Sequence, residues 1–387
     1  MYNILTLNKI AEIGTDNLPK EHYSVSDKCE NPDAIMLRSF NMHETNLPQN
    51  LKAVARAGAG TNNIPIDKCS EKGVVVFNTP GANANAVKEL VLASLFLSCR
   101  KIYQGINWAQ TLKGEGDKVP ALVEKGKAQF AGPEIAGKKL GVIGLGAIGG
   151  MVANACKALG MEVLGCDPFI SVDGAWGLSR GVHKAANYDE IYAQCDYITV
   201  HVPYNEQTKG MFNAEVFGKV KKGLKLLNFS RGELVDNSAV KEALANGSLS
   251  CYVTDFPNEE LLGTEGVIAI PHLGASTYEA EDNCAVMAAI QLKDYLEYGN
   301  IKNSVNFPDC NLPFTGRKRF CILHKNVPGV VGPITTAVAN AKLNIDNMIN
   351  KSKTAYACTM IDVDQKETGN AVDEILKVDG VVSVRVI

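Results

Sequence analysis

The stretch Leu140-Gly-Val-Ile-Gly144-Leu-Gly146-Ala-Ile-Gly149 constrains this chain more than any other part of it. An apolar strand runs straight into three glycines at fixed spacing and then into a helix beginning near Ile148. Gly144 permits a tight turn, Gly146 lets the backbone approach a pyrophosphate, and Gly149 allows close packing of helix on strand. The helix start, with Ala147 and Ile148 in its first turn, offers free N–H groups and partial positive charge to phosphates. The next strand, Met161-Glu-Val-Leu-Gly-Cys-Asp167, places an acid about 20 residues downstream, where it meets ribose hydroxyls. Pro168-Phe-Ile170 supplies no Arg or Lys for a 2′-phosphate, so NAD is expected rather than NADP.

Around this motif the chain alternates apolar strands with helical segments. Before it, Ala34-Ile-Met-Leu37, Leu51-Lys-Ala-Val-Ala55 and Val74-Val-Val-Phe77 read as buried parallel strands. After it, strands are expected at 162–167, 197–201, 225–229, 250–254 and 267–270. Two long helical patterns, 84–106 and 278–298, flank the middle region, as they would if one α/β domain were inserted in another. Residues 303–318, with Pro308, Pro313 and Gly316, read as a linker. The rest reads strand, helix, strand, strand, helix, strand, a small ferredoxin-like module. The expected architecture is therefore α/β: two doubly wound parallel-sheet domains, one inserted in the other, and a C-terminal βαββαβ unit. The expected boundaries are residues 1–98 with 276–302, then 99–275, the linker, and 319–387. A ligand cleft is expected between the first two domains.

Composition excludes several function classes. The 387 residues carry a net charge of −3, unlike the basic face that nucleic-acid binding needs. The longest apolar run, near residues 90–97, falls short of the roughly 18–20 residues of a membrane span. The N-terminus shows no basic segment followed by an apolar stretch and cleavage site, so a cytoplasmic protein is expected. Eleven cysteines without paired or metal-type spacing predict reduced thiols and no metal.

An NAD enzyme needs a substrate held beside the nicotinamide and a group that handles the alcohol proton. His272, in Ile-Pro-His-Leu-Gly274, follows the strand at 267–270, where α/β crevices form. Arg231, in Asn-Phe-Ser230-Arg-Gly, follows the strand at 225–229 and can clamp a carboxylate by two parallel hydrogen bonds. Asp255-Phe-Pro-Asn-Glu259-Glu260 follows a third strand and can supply an acid that orients the imidazole.

These segments, in the order Arg, Glu, His after the glycine motif, resemble the D-2-hydroxyacid dehydrogenase family. Residues 55–64 (ARAGAGTNNI), 73–93 (GVVVFNTPGANANAVKELVLA) and 303–313 (NSVNFPDCNLP) extend the resemblance over essentially the whole chain, toward the branch acting on D-3-phosphoglycerate. The resemblance implies Arg231, Glu259 and His272 as the catalytic set. The family pattern Asp-Val-Phe-x-x-Glu is one residue longer than the segment here. Aligning on Phe256 selects Glu259, and aligning on Asp255 selects Glu260. Pro203, Thr208, Ser230, Asp255 and Gly274 are implied as further cofactor contacts. Arg38, Ser39, Arg56, Gly58 and Asn78 are implied as substrate contacts, Arg38 and Arg56 meeting phosphate and carboxylate. Lys88 stays open between a phosphate contact and a solvated charge.

The implied reaction is oxidation of D-3-phosphoglycerate to 3-phosphohydroxypyruvate, a step toward L-serine. The last module, opening with His324-Lys-Asn326-Val-Pro-Gly329, resembles the ACT domain, a small regulatory unit. That resemblance implies L-serine as a possible effector at His324, Asn326 and Asn344, and a homodimer or homotetramer. Two alternatives remain: a hydroxypyruvate or glyoxylate reductase, and an NADH-sensing co-repressor.

Overall fold

The computed structural model describes residues 1–365 and 367–387, which divide into two units, 1–83 with 278–387 and 84–277.

The second unit is a seven-stranded, wholly parallel sheet. Its strands are β6 (Lys139–Ile143), β7 (Glu162–Cys166), β8 (Val182–Lys184), β9 (Tyr197–Val200), β10 (Leu224–Asn228), β11 (Leu249–Thr254) and β12 (Val267–Ala269). Their order is β12-β11-β10-β9-β6-β7-β8. The chain winds outward one way from β6 and the other way from β9. The point where order reverses therefore lies between β6, which ends at the glycine motif, and β9. One face is covered by the helix Ala147–Ala158, whose Val152, Ala153 and Cys156 meet Val87, Val91, Leu95 and Cys99 of the helix Ala84–Cys99. The four-residue spacing of that second set makes a single helical stripe.

The first unit has a five-stranded parallel sheet of β1 (Tyr2–Leu7), β2 (Tyr23–Ser26), β3 (Ala34–Leu37), β4 (Ala53–Arg56) and β5 (Val75–Phe77), in the order β2-β1-β3-β4-β5. The helix Tyr278–Tyr298 packs on it through Cys284, Ala285, Ala288, Ala289 and Leu292. Small residues there allow close approach: a Cβ on Gly14 would lie 2.5 Å from that of Ala285. The C-terminal module is an antiparallel sheet of β13 (Lys318–Lys325), β14 (Ile345–Lys353), β15 (Tyr356–Val363) and β16 (Val381–Val386), ordered β14-β15-β13-β16, the ferredoxin-like arrangement. Along β13, Phe320 and Ile322 join the module's own helices, while Cys321 and Leu323 join the core beneath the first sheet. The two-residue period of a strand thus gives this module two buried faces. It is accordingly part of the first unit.

One fully buried ion pair secures that junction. Arg319 Nε and Nη2 donate to the two oxygens of Asp362, at 2.6 and 2.8 Å, and neither side chain is exposed. The remaining donors of Arg319 reach the carbonyls of Tyr298, Leu312 and Pro313. The guanidinium thereby ties the end of the long helix and the linker to the module.

Three expectations change. The helical pattern at 84–106 is two helices, Ala84–Cys99 and Ile102–Gln110; the second buries no residue and follows a break at Arg100-Lys101. The helix Ala84–Cys99, expected with the outer domain, belongs to the inner unit because its apolar stripe packs there. Strands β1, β2 and β8, in which polar residues interrupt the apolar pattern, were not foreseen.

Replacing Arg319 with Ala would leave Asp362 as an uncompensated buried charge, and should cost about 3–5 kcal/mol of stability in chemical denaturation.

Candidate active site

The glycine motif forms the turn its spacing requires. Gly144 sits at φ +87°, and a Cβ there would lie 2.6 Å from the His201 carbonyl oxygen. A Cβ on Gly149 would collide with the Gly144 carbonyl, whereas one on Gly146 would meet nothing within 4 Å. Gly146 caps the helix Ala147–Ala158 with no side-chain hydrogen bond, so no cap side chain covers the first-turn N–H groups. Asp167 accepts from the Leu145 N–H (2.8 Å) and the Phe169 N–H (2.8 Å), holding the β6 and β7 loops together. His201, just after β9, pairs through Nε2 with Thr199 Oγ1 at 2.9 Å. Burial pushes its pKa down to about 4, so the ring beside this turn is neutral at physiological pH.

Arg231, Asp255 and His272 follow β10, β11 and β12, three neighbouring strands. Asn228, fully buried, donates to the Arg231 carbonyl (2.8 Å) and accepts from the Ser230 N–H (3.1 Å). Ser230 Oγ donates to the Val200 carbonyl (2.8 Å), closing the loop onto β9. The Arg231 side chain is exposed, its Nη1 resting on the Ser230 carbonyl. His272 is also exposed, with its ring 5.0 Å from that of Phe256. Asp255 is buried. Burial raises its pKa, opposed by the charge of His272, the Gly274 N–H and the charge of Arg231. Its Oδ2 accepts from the Gly274 N–H at 3.3 Å, while Oδ1 is buried with no partner. Thr208 Oγ1 donates to the Pro203 carbonyl (2.7 Å), which closes the loop after β9 on itself.

Glu259 and Glu260 are both exposed in the turn after Asn258, and neither has a hydrogen bond or ion pair with His272 among the described residues. The charge of His272 acts instead on the buried Asp255, which the family resemblance presents as a cofactor contact.

These features fit a bound dinucleotide: an open glycine cradle, an uncapped helix start, and an orphaned carboxylate oxygen able to accept an amide hydrogen. Among the described residues no cluster of His, Cys, Asp or Glu could hold a metal, and no helix is long and apolar enough to cross a membrane.

In the first unit, Arg38 follows β3 and Arg56 ends β4. Sequence reading missed the residue that shapes this end. Asn8, at φ +112°, accepts through Oδ1 from the N–H groups of Arg38 (3.3 Å), Ser39 (3.1 Å) and Phe40 (2.8 Å). Asn63 Nδ2 donates to the carbonyls of Arg38 and Phe40, and Arg56 Nε to that of Arg38. The available signal was the residue type, since Asn tolerates positive φ. Gly58 lies beneath the Arg56 guanidinium and accepts from the Thr79 N–H, while Asn78 Nδ2 donates to the Ala59 carbonyl (2.6 Å).

In the C-terminal module His324 is buried, its ring nitrogens paired with the Lys325 carbonyl and Thr359 Oγ1. Asn326 is exposed and donates to the Thr354 carbonyl; Asn344, also exposed, donates its N–H to Gln365.

Residues 92–274 match the family described as D-isomer specific 2-hydroxyacid dehydrogenase, NAD binding domain. D-3-phosphoglycerate dehydrogenase of Haemophilus influenzae is 30% identical over 340 residues, 85% of this chain and 79% of that protein. The enzyme of that name from Methanocaldococcus jannaschii is 32% identical over 363 residues, 91% of this chain and 66% of that protein. The chain spans about half of the one from Archaeoglobus fulgidus, 52% of its length at 36% identity. NAD⁺-bound 3-phosphoglycerate dehydrogenase of Entamoeba histolytica superposes with a TM-score of 0.62 at 25% identity, over 79% of this chain and 98% of that one. The chain belongs to the D-isomer-specific 2-hydroxyacid dehydrogenases, a family of NAD-dependent oxidoreductases. Its second unit is that family's NAD-binding domain.

Two outcomes follow. Gly149→Ala should abolish NAD binding in fluorescence titration, because the added carbon cannot coexist with the Gly144 carbonyl. His201 binds fewer protons folded than unfolded between pH 6.5 and about 4, so stability should fall as pH drops through that window. His201→Asn should flatten that part of a Tm-against-pH curve.

Proposed function

We propose that this protein oxidises D-3-phosphoglycerate to 3-phosphohydroxypyruvate with NAD. The observation that carries the reading is the placing of Arg231, Asp255 and His272 at the ends of three adjacent strands, in the domain that carries the glycine turn. The names of the similar proteins supply the substrate. NAD, when bound, supplies the hydride acceptor.

Gly144, Gly146, Ala147, Ile148 and Gly149 would hold its pyrophosphate, and Asp167 its adenosine ribose. Pro203, Thr208, Ser230, Asp255 and Gly274 would hold the nicotinamide end, with Asp255 Oδ1 accepting from the carboxamide. Arg231 would fix the substrate carboxylate by paired hydrogen bonds, and its charge polarises the carbonyl as it forms. His272 would take the hydroxyl proton at a ring nitrogen. Phe256 packs against the His272 ring. Glu259, or Glu260, would orient the imidazole once the exposed turn folds toward it. From the first unit, Arg38 and Arg56 would receive the phosphate, aided by the Ser39 hydroxyl, the Gly58 backbone and Asn78.

L-serine inhibition is a further part of the reading. Asn326 and Asn344 are the exposed groups available to such an effector, with His324 bracing the strand beneath them.

The test is NADH consumption with 3-phosphohydroxypyruvate against unphosphorylated hydroxypyruvate. The phosphorylated compound should be strongly preferred; equal use of both would favour a hydroxypyruvate reductase. His272→Ala should lower kcat by roughly two to four decades. Arg56→Ala should raise KM for the phosphorylated compound alone. Activity unchanged in millimolar L-serine would remove the effector and leave the catalytic reading standing.

A further inference from the structure

We propose that Glu281 is an internal competitor for the phosphate of the substrate, a positioning residue that acts through Arg38 and sets the affinity for phosphorylated substrates. The inference rests on the reading of Arg38 as an anion contact.

Arg38 Nη1 lies 2.6 Å from Glu281 Oε1, and the side chains are 40% and 42% exposed. Glu281 belongs to the first turn of the helix Tyr278–Tyr298, where a carboxylate is favoured by the helix dipole and held close to the strand ends. Cys284, one turn further along, lies within the field of both guanidiniums. Burial raises its thiol pKa, and the charges of Arg38 and Arg56 pull against that rise. The main chain of residues 38–40 is held on both sides by Asn8 and Asn63, so only the Arg38 side chain is left to change partner.

An arriving anion therefore competes with a carboxylate already in place. A phosphate, with up to two charges and three acceptor oxygens, does this better than a single carboxylate can. A substrate with no phosphate leaves the pair undisturbed. The pair is half-exposed, so its hold is modest and Glu281 tunes affinity instead of blocking the site.

The experiment uses the full chain and the variants Glu281→Gln, Glu281→Asp, Arg38→Ala and the double Arg38→Ala/Glu281→Gln. Steady-state kinetics are measured with 3-phosphohydroxypyruvate and with hydroxypyruvate. Glu281→Gln should lower KM for the phosphorylated compound roughly two- to fivefold, the range an exposed ion pair supports. KM for hydroxypyruvate should stay as in the wild type. Glu281→Asp, which keeps the charge, should stay near the wild type, and Glu281→Gln should have no effect once Arg38 is gone. An unchanged or higher KM in Glu281→Gln, an equal fall for both compounds, or a fall that persists without Arg38 would overturn the proposal. If the wild type turns over neither compound, the proposed reaction is wrong. Calorimetric titration with 3-phosphoglycerate then decides the present point: tighter binding by Glu281→Gln supports it, and equal or weaker binding overturns it.

Discussion

The NAD-binding unit depends on how closely two backbone segments meet at Gly144 and Gly149. The Gly149 α-carbon sits against the Gly144 carbonyl, and Gly144 itself sits against the His201 carbonyl in a left-handed conformation. Three elements converge there, β6, β9 and the helix Ala147–Ala158, and any side chain at either position would force them apart. With them together, the helix start opens onto the point where strand order reverses. Asp167 then closes the arrangement by accepting from Leu145 within the turn.

The side chains proposed to act on substrate are positioned by a second set of constraints, on strand ends instead of turns. Asn228 is fully buried and spends its amide on the Arg231 and Ser230 backbone, so the loop bearing the guanidinium is held from below. Asp255 is buried with one oxygen satisfied and one free, a costly state for a carboxylate unless a ligand supplies the missing donor. In the first unit Asn8 does comparable work, drawing three consecutive N–H groups onto one oxygen. Each case uses a polar side chain as a brace for backbone.

Much of this was legible in the residues. The glycine spacing, the acid after β7, and Arg231 and His272 after apolar strands all follow from local rules, because a strand ending and a turn are local events. The roles proposed for them come from the resemblance to D-2-hydroxyacid dehydrogenases; the family match bears out the resemblance itself. The break at Arg100-Lys101 escaped notice, since helical periodicity continues through it and only lost burial reveals it. Asn8 escaped because the groups it binds are 30 or more residues away.

The sequence by itself determined the class of fold and its cofactor, since periodicity and glycine placement act over a few residues and tolerate one backbone solution. Tertiary structure alone decided which groups share surroundings. It buried Asp255 within the field of His272 and left Glu259 and Glu260 exposed; it paired Arg38 with Glu281; and it joined the C-terminal module to the first unit through Arg319 and Asp362. Such pairings join residues from distant segments, and no local propensity encodes a meeting that depends on how whole elements pack.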